Sequence, residues 1–572
     1  MLARRLLFAT TAHTSRYNVG LRNLRPTLRF GSLSQLDYRS YSVIIHEPPH
    51  EELRIPYKTM WDILEEQLSV HADKSAFIDG ITHQHMTFKQ LYDRARRLAI
   101  ALAKRGVKKG DGVIVHSLNC IDYPTVVLAL TSLGAVCSPA SPAFLPTELA
   151  AQIKAATAKY VITHKDLEKA AIEASKLCGV DKSLIFTFGQ STEDLQTIDD
   201  LVKDGEDPFF QFEKIDSESK IFLPFSSGTT GVPKGVALSA RNILSNAMQV
   251  NHVEKMRGYS LGLLPFYHIY GMMQMHLSMY QGAANVVLPR FEPETFLNVL
   301  STYKICVAYI APPVALFLAH HPLVDKYDIS ATEIFVSGGA PMGKEVEKLV
   351  KDRVHIAVKQ AYGLTEASPA VNYSEDSHHK PGSVGRLLPN TQLRVKCTET
   401  DKDLDVGEHG ELLYKGPQVM LGYLNNEEAN AKVFTEDRFL RTGDTGYIDE
   451  DGCVFIVDRV KELIKYKGHQ VAPAELEDVL NHHPQILDAC CIRGSDAMGE
   501  EVPKAFVVLK DPTNAAGLTK EELMDFVASK VAPFKKVRQI EFIDSIPKSP
   551  TGKILRRELQ DYENQHHIAK VA

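Results

Sequence analysis

Short apolar runs alternate with amphipathic stretches from about Tyr57 to Phe455. The runs have the length of buried strands. They cover residues 112–115, 160–163, 285–288, 307–310 and 333–336. Residues 87–105 and 344–353 lie between such runs and have the periodicity of amphipathic helices. This alternation predicts α/β layers with largely parallel sheets.

Beyond Gly385 the pattern changes to strand-like pieces separated by turn glycines, as in residues 410–416 and 446–448. We predict a small β-rich region there. The first part of the chain is therefore predicted to form a large N-terminal domain over residues 43–457, built from layered α/β subdomains and this β-rich region.

A second unit is predicted from Asp458 to the end of the sequence. Pro473 suits the first turn of a helix that continues to His482. Strand-like runs cover residues 488–492 and 505–510, and Thr519 with Glu522 forms a capping box for a helix to Lys530. Residues 458–572 are thus predicted to be a small, mobile α+β C-terminal domain.

The composition is that of a globular protein with more than one core. The chain has 572 residues, of which 44% are apolar and 24% charged. No run reaches the roughly 18 apolar residues that span a bilayer. Eight cysteines lack a Cys-x-x-Cys spacing, so the sequence indicates neither a zinc site nor a disulfide framework, and it favours a reducing compartment.

The first 42 residues have a different composition. Arginine occurs seven times without a lysine, and the only acid is Asp37. This is typical of a mitochondrial transit peptide, so we predict a matrix protein cleaved near Ser42; the alternative is a disordered basic tail. Cleavage would remove a net six positive charges and move the formal charge from −6 to −12. So acidic a chain is not expected to bind nucleic acid through bulk charge.

The strongest candidate for chemistry is the segment from Ser226 to Gly235, which follows an apolar, strand-like run. Glycines let backbone N–H groups approach an anion, and hydroxyls and a lysine add donors and charge. Lys234 is followed by Gly235, so this is not the P-loop of common NTPases. The segment predicts a phosphate-binding loop, against the alternative of a flexible surface loop.

Five further segments accompany this loop in order. Each has an ordinary alternative on its own, such as a plain turn, a helix start or a solvated charged face. They are residues 337–341 and 362–366, residues 441–444 and 458–468, and residues 547–553.

Together these motifs resemble the adenylate-forming superfamily, which includes acyl-CoA synthetases, 4-coumarate–CoA ligases, beetle luciferases and peptide-synthetase adenylation domains. The resemblance covers about residues 50–560. Residues 264–270 and 465–475 are most similar to the 4-coumarate–CoA ligase branch. It implies that a carboxylate attacks the α-phosphate of ATP to form an acyl-adenylate, and that the thiol of coenzyme A then displaces AMP.

The resemblance also implies roles for individual residues. Glu366, with Thr365, would hold Mg²⁺; Lys553 would act in adenylation, and Lys465 in thioester formation after rotation about the hinge Asp458. Coenzyme A would contact Lys467, Gly468 and Arg290, the last matching a lysine of the plant ligases across a one-residue gap. The residues implied for ATP binding are Ser226, Ser227, Gly228, Thr229, Thr230, Gly231, Lys234, Gly338, Gly339, Ala340, Gln360, Tyr362, Gly363, Thr365, Asp444, Arg459, Gln470 and Lys553.

The acyl pocket is implied to lie beside His268, the gate and polar wall, and Tyr270, with Met273, Gly338, Tyr362 and Gly363. No acid occurs between Pro265 and Arg290 to pair with an ammonium, so an amino acid substrate is not expected. The methionines at 272, 273 and 275 suit a flexible aliphatic chain as well as a phenylpropanoid, or are ordinary helix core.

We therefore predict an ATP-, Mg²⁺- and coenzyme A-dependent acyl-CoA ligase for an apolar acid, either a medium- or long-chain fatty acid or an aryl-propenoic acid. Two alternatives stay open: a luciferase-like oxygenase, and a catalytically silent relative that binds acyl-adenylate. The sequence does not specify the oligomeric state or the chain length of the acid.

Overall fold

The computed structural model of the chain describes residues 43–226, 233–256, 258–466, 469–496, 501–511, 518–549 and 552–571, without the side chains of Gln470 and residues 566–571. The transit peptide predicted over residues 1–42 lies outside the described residues. Among those residues, no helix combines the length and apolar character needed to cross a membrane.

The helices of the described residues are α1 Met60–His71, α2 Phe88–Lys104, α3 Tyr123–Ser132, α4 Pro146–Ala155, α5 Glu168–Cys178, α6 Ile198–Asp204, α7 Ala240–Val253, α8 Ile269–Gln281, α9 Pro293–Tyr303, α10 Pro312–His320, α11 Lys344–Val354, α12 Glu427–Val433, α13 Pro473–Asn481, α14 Lys520–Ala528 and α15 Arg556–Val571.

The strands are β1 Ser75–Asp79, β2 His85–Thr87, β3 Gly112–His116, β4 Val136–Ala140, β5 Ala158–His164, β6 Ile185–Phe188, β7 Gln196–Thr197, β8 Lys220–Phe222, β9 Phe225–Ser226, β10 Lys234–Ser239, β11 Tyr259–Gly262, β12 Ala284–Val287, β13 Val307–Ile310, β14 Ile334–Ser337, β15 Ala357–Gly363, β16 Ala370–Tyr373, β17 Arg386–Leu387, β18 Gln392–Lys396, β19 Asp403–Leu404, β20 Gly410–Lys415, β21 Gly422–Tyr423, β22 Leu440–Ile448, β23 Val454–Arg459, β24 Ile464–Tyr466, β25 His469–Val471, β26 Ile486–Ser495, β27 Glu501–Leu509 and β28 Gln539–Phe542.

Two nine-stranded sheets form the body of the large domain. One has the order β17-β16-β15-β14-β13-β11-β12-β1-β2, and the other has the order β21-β10-β8-β4-β3-β5-β6-β7 with β9 paired to β10. Their centres are parallel, as in the pairs β13–β14 and β3–β4, and antiparallel strands lie toward the edges. The predicted α/β architecture is confirmed, and the five predicted apolar runs lie in or overlap β3, β5, β12, β13 and β14.

Helix α8 lies between the two sheets and carries the residues predicted to form the acyl pocket. Met272 and Met275 pack into the core that contains Phe222 of the second sheet. Met273 instead joins the cluster of Tyr270 and Tyr309 beside the first sheet. The three methionines are therefore not equivalent: two are helix core, and one faces the predicted pocket.

The predicted β-rich region is a five-stranded sheet of order β19-β18-β20-β22-β23. The segment at the start of the described chain is fastened to it. His46 pairs with Leu393 through backbone hydrogen bonds of 2.8 and 3.0 Å. Leu53 exchanges hydrogen bonds of 2.8 and 2.7 Å with the side chain of Asn390.

The small domain contains the β24–β25 hairpin and a sheet of order β26-β27-β28. Its core brings together α13, α14 and this sheet. The predicted capping box is present: Thr519 N donates to Glu522 Oε2 at 2.8 Å, and Glu522 N donates to Thr519 Oγ1 at 3.1 Å.

The junction between the domains lies inside a strand, because β23 continues through Asp458 to Arg459. The Asp458 carboxylate accepts hydrogen bonds from Arg459 N at 2.7 Å and from Ala474 N, in the first turn of α13, at 2.9 Å. An acid at this position stabilises the helix by satisfying a free N–H group and by interacting with the helix dipole. The boundary at residues 457 and 458 stays a prediction.

Candidate active site

Three residues that were predicted to bind ATP lie together where the first sheet approaches the five-stranded sheet. Tyr362 comes from the end of β15, while Asp444 and Arg459 are paired neighbours on β22 and β23. Tyr362 Oη donates to Asp444 Oδ2 at 2.5 Å, and Arg459 Nε lies 3.2 Å from Asp444 Oδ1. Burial raises the pKa of Asp444, and the charge of Arg459 opposes that rise. The result is a buried acceptor suited to hydroxyl groups such as those of a ribose.

The carboxylate predicted to hold Mg²⁺ belongs to a short 3₁₀ turn over residues 365–367. Tyr423 Oη donates to Glu366 Oε1 at 2.8 Å, and among the described residues Oε2 has no hydrogen-bond partner. Lys234 Nζ lies 5.0 Å from the centre of the Tyr423 ring. No group of three or more His, Cys, Asp or Glu forms a metal cage in the described residues. One carboxylate near a lysine that is predicted to bind phosphate fits Mg²⁺, which takes one or two carboxylates and completes its shell with phosphate oxygens and water.

The start of the phosphate loop is also in place. Ser226 of β9 pairs with Lys234 of β10, so the two ends of the predicted loop lie side by side. Ser226 Oγ is buried and has no hydrogen-bond partner among the described residues. A buried hydroxyl of this kind is a ready ligand for an anion. Residues 227–231, which carry the other predicted phosphate ligands, lie outside the described residues.

Lys553 is delivered to the site by a tight loop of the small domain. Ser549 N donates to Lys553 O at 2.8 Å, and Lys553 N donates to Ser549 Oγ at 3.1 Å. Gly552, between them, has φ +80°, and a Cβ there would lie 2.7 Å from Pro313 of α10. The loop therefore sits directly on the large domain.

The lysine has charged neighbours from both domains, among them Arg459, Asp444 and Glu366. Burial, assisted by the charge of Arg459, lowers the pKa of Lys553 to about 8. An ammonium with so low a pKa, placed among ATP-site residues, is poised to pair with an incoming anion.

His268 is half-buried at the start of α8, where its Nδ1 accepts from Tyr270 N at 3.4 Å. Burial and the nearby charge of Lys553 lower the pKa of His268 to about 4. The imidazole is therefore neutral near pH 7, and it can act as a polar wall without adding charge to the pocket.

Tyr270 and Gly338 form one side of the predicted acyl pocket. Tyr270 Oη donates to Val336 O at 3.0 Å, and its ring meets Tyr309 edge-on with centroids 6.1 Å apart. A Cβ added at Gly338 would lie 3.0 Å from the Tyr270 ring. The glycine therefore lets a flat group lie against the backbone beside this tyrosine.

Other predicted residues occupy different positions. Gly339 and Ala340 lie in the turn after β14. The Gln360 amide donates inside the protein, to Met342 O at 3.0 Å and to Glu347 Oε1 at 2.6 Å. Its amide nitrogen is thus committed to the fold, and its backbone O accepts from Ser374 N at 3.1 Å.

Two of the residues implied for the second half-reaction, Lys465 and Arg290, are exposed. Lys465 is exposed on β24, where its backbone N donates to Glu501 Oε2 at 2.7 Å. Arg290 is exposed in the turn after β12. Lys467, Gly468 and the side chain of Gln470 lie outside the described residues. The structure therefore brings Lys553 to the site and leaves Lys465 away from it.

The sequence patterns did not predict a buried network of charged residues that lies next to the junction between the two domains. Arg556, three residues after Lys553, pairs with Glu477 of α13 at 2.5 Å and with Glu462 at 3.3 Å. Burial raises the pKa of Glu477 to about 7 despite this arginine. The charge-rich segment after Asp458 is thus partly internal, because its Glu462 pairs with Arg556.

The chain matches two family descriptions: "AMP-binding enzyme" over residues 64–424 and "AMP-binding enzyme C-terminal domain" over residues 475–553. It is 39% identical to "Probable 4-coumarate--CoA ligase 1" of Dictyostelium discoideum, over 89% of this chain and 96% of that protein. It is 37% identical to the "4-coumarate--CoA ligase" of Pinus taeda, over 86% and 93%.

Solved structures agree in fold. ATP-bound MatB from Rhodopseudomonas palustris is 26% identical and superposes with a TM-score of 0.81, covering 89% of this chain and 99% of that one. A benzoate CoA ligase from Burkholderia xenovorans LB400 is 24% identical with a TM-score of 0.78, covering 88% and 99%. Because its sequence identity to this chain is below 25%, this second structure supports the fold alone.

Proposed function

Because the chain belongs to the AMP-binding enzyme family and is an acid–thiol ligase that forms acyl-CoA thioesters through an acyl-adenylate, we propose that its substrate is an uncharged apolar acid, with aryl-propenoic acids as the preferred class. The observation that carries this proposal is the contact between Gly338 and Tyr270, backed by the edge-on Tyr309. Aromatic walls and a bare backbone favour a flat ring. The relatives named as 4-coumarate–CoA ligases support the same class.

In the adenylation step, Asp444 and Arg459 hold the ribose, and Tyr362 with the turn at Gly338–Ala340 frames the adenine. Ser226 and Lys234 bind the β- and γ-phosphates together with the loop between them. Glu366 would hold Mg²⁺, which would supply charge neutralisation at the phosphates. Lys553 would lie between the acid and the α-phosphate, where negative charges must approach each other, and its ammonium would stabilise that transition state.

In the thioester step, Lys465 replaces Lys553 at the site after the small domain rotates about Asp458, and coenzyme A contacts Arg290, Lys467 and Gly468. The exposed position of Lys465 supports this division of roles between the two lysines, because its side chain is free to move to the site in a second step. Rotation of a rigid domain about a short hinge is a general means of changing active-site residues between steps.

An acid panel tests the proposed substrate class. The panel runs from acetate to long-chain fatty acids, with benzoate, cinnamates and the standard amino acids, and is scored by AMP release with and without coenzyme A. We expect the highest kcat/KM with a cinnamate, weaker turnover of aliphatic acids, and none of amino acids. An amino acid that equals the best acid would overturn the pocket proposal, and a fatty acid as best substrate would overturn the aryl preference.

We further propose that the protein is imported into the mitochondrial matrix and cleaved near Ser42. The support is the acid-poor, arginine-rich composition of residues 1–42. Cleavage there leaves the fastened segment whole, since its first described anchor is Ile44 N donating to Asp403 Oδ2 at 3.4 Å. Amino-terminal sequencing of the protein from its own cells should find a start near residue 43. Met1 on a cytosolic enzyme is the contrary result.

A further inference from the structure

Tyr423 touches two motifs that are far apart in the sequence. Its hydroxyl donates to Glu366 Oε1 at 2.8 Å, and its ring lies under the Lys234 ammonium, 5.0 Å from the centroid. Neither the phosphate loop nor the carboxylate motif contains this tyrosine. It is therefore a shared support for the residue proposed to hold Mg²⁺ and for the lysine proposed to bind phosphates.

The backbone of Tyr423 is held firmly enough for this purpose. It pairs with Val236 on β10, the strand that begins at Lys234. The Asn430 amide clamps it from the other side, accepting from Tyr423 N at 2.7 Å and donating to Tyr423 O at 3.0 Å. On the β10 side the next residue holds the strand, since Leu424 N donates to Gly235 O at 2.8 Å. The side-chain amide of Asn430 and this strand pairing together fix the direction of the Tyr423 side chain.

The geometry gives Tyr423 one role. Its phenol hydroxyl faces a carboxylate oxygen of Glu366 at 2.8 Å and is the donor of that hydrogen bond. Met420 N also donates to the main-chain oxygen of Glu366 at 2.8 Å. Glu366 is thus fixed through its backbone and through one carboxylate oxygen, while Oε2 has no partner among the described residues.

We propose that Tyr423 is the positioning residue of the Glu366 carboxylate: its hydroxyl holds Oε1 so that Oε2 is left for Mg²⁺, and its ring holds Lys234 beside the same phosphates. The inference rests on the proposed function of Glu366. Hydrogen-bonding partners of metal-binding carboxylates fix the orientation of the ligand, and their loss commonly weakens metal binding by about 10- to 100-fold.

The test is Tyr423→Phe, which keeps the ring under Lys234 and removes only the hydroxyl. Mn²⁺ is the probe for the metal, and its binding to the enzyme with ATP is followed by the EPR signal of the free ion. We expect affinity for Mn²⁺ to fall about tenfold or more. Thioester formation from supplied acyl-adenylate and coenzyme A, which needs no metal, should keep its wild-type rate, and the melting temperature should not change.

The matched control is Tyr92→Phe, which removes a hydrogen bond of the same kind, from Tyr92 Oη to Glu65 Oε1 at 3.1 Å, away from the site. It should leave Mn²⁺ binding and both half-reactions unchanged. Wild-type Mn²⁺ affinity in Tyr423→Phe, equal losses in both half-reactions, or failure of that variant to fold would each overturn the proposal.

Glu366→Gln separates this inference from the function beneath it. If Glu366→Gln weakens Mn²⁺ binding and Tyr423→Phe does not, the positioning role alone is wrong. If Glu366→Gln binds Mn²⁺ as the wild type does, the proposed role of Glu366 is wrong, and the role of Tyr423 falls with it.

Discussion

The pKa of Lys553 is displaced from its ordinary value toward neutral pH. Lys553 lies near Arg459 and is largely removed from water, so its pKa falls to about 8, while Asp444 and Glu366 limit the fall. At neutral pH most of the population is charged, and a modest rise in pH neutralises it. The residue that must stabilise negative charge therefore titrates close to physiological pH.

The first prediction concerns this titration. We expect kcat/KM for ATP in pyrophosphate exchange to decline as pH rises through about 8, because the free enzyme then loses the Lys553 proton. A pH series of exchange rates measures the decline. In Lys553→Arg the charge persists at higher pH, so the residual activity should show no decline in that range. A decline of the same midpoint in Lys553→Arg would assign the titration to another group.

At the scale of elements, the Lys553 loop lies directly against α10 of the large domain. A Cβ at Gly552 would lie 2.7 Å from both Cγ and Cδ of Pro313. A proline ring cannot rotate out of the way as a long side chain can, so the loop must move instead. Its glycine is required by this contact as well as by φ +80°.

The second prediction follows from that contact. Gly552→Ala should slow acyl-adenylate formation about tenfold or more, because it displaces Lys553 from its position. Thioester formation from supplied adenylate should be much less affected. The matched control is Gly407→Ala: Gly407 also has φ +80° but nothing lies within 4 Å of its added Cβ. If both variants slow adenylation equally, backbone strain rather than the Pro313 contact is responsible.

The strands of the sheets could be predicted from the sequence, but the contacts between distant elements could not. The apolar runs identify the central strands because burial on both faces leaves a continuous hydrophobic signal. Tyr423 could not be found this way, since its role depends on the pairing of β21 with β10, a contact between distant segments. The unequal positions of Met272 and Met273 likewise follow from how α8 sits between two sheets, which helical periodicity alone does not specify.

At the scale of the whole molecule, the structure shows one of the two domain orientations that the proposed mechanism requires. Lys553 lies near Asp444 and Arg459, which are proposed to bind ATP, whereas Lys465 is exposed. The domains also contact each other through α13. His482 Nε2 lies 3.6 Å from Glu345 Oε2 of the large domain, and Asp478 lies against Gly343. The sequence identified both lysines but could not say which of them is in place, because that depends on packing between the domains.

The third prediction uses the two lysines. Lys553→Ala should reduce acyl-adenylate formation by about a hundredfold, corresponding to ~3 kcal/mol of transition-state stabilisation, and leave thioester formation from supplied adenylate largely intact. Lys465→Ala should show the reverse. Each half-reaction is measured separately, by pyrophosphate exchange and by acyl-CoA release. Equal losses in both steps for both variants would indicate that one orientation performs the whole reaction.

The bond from Ala474 N to Asp458 has a consequence for the idle enzyme. If the proposed rotation about Asp458 separates Ala474 from it, this hydrogen bond is lost, and one to a charged group is worth about 1.5–3 kcal/mol. Without ATP and acid, the orientation proposed to receive coenzyme A would then be disfavoured by roughly 10- to 100-fold, and the apparent affinity for coenzyme A would fall by the same factor. Enzyme that has no acid to activate should therefore leave the cell's coenzyme A pool free for other reactions.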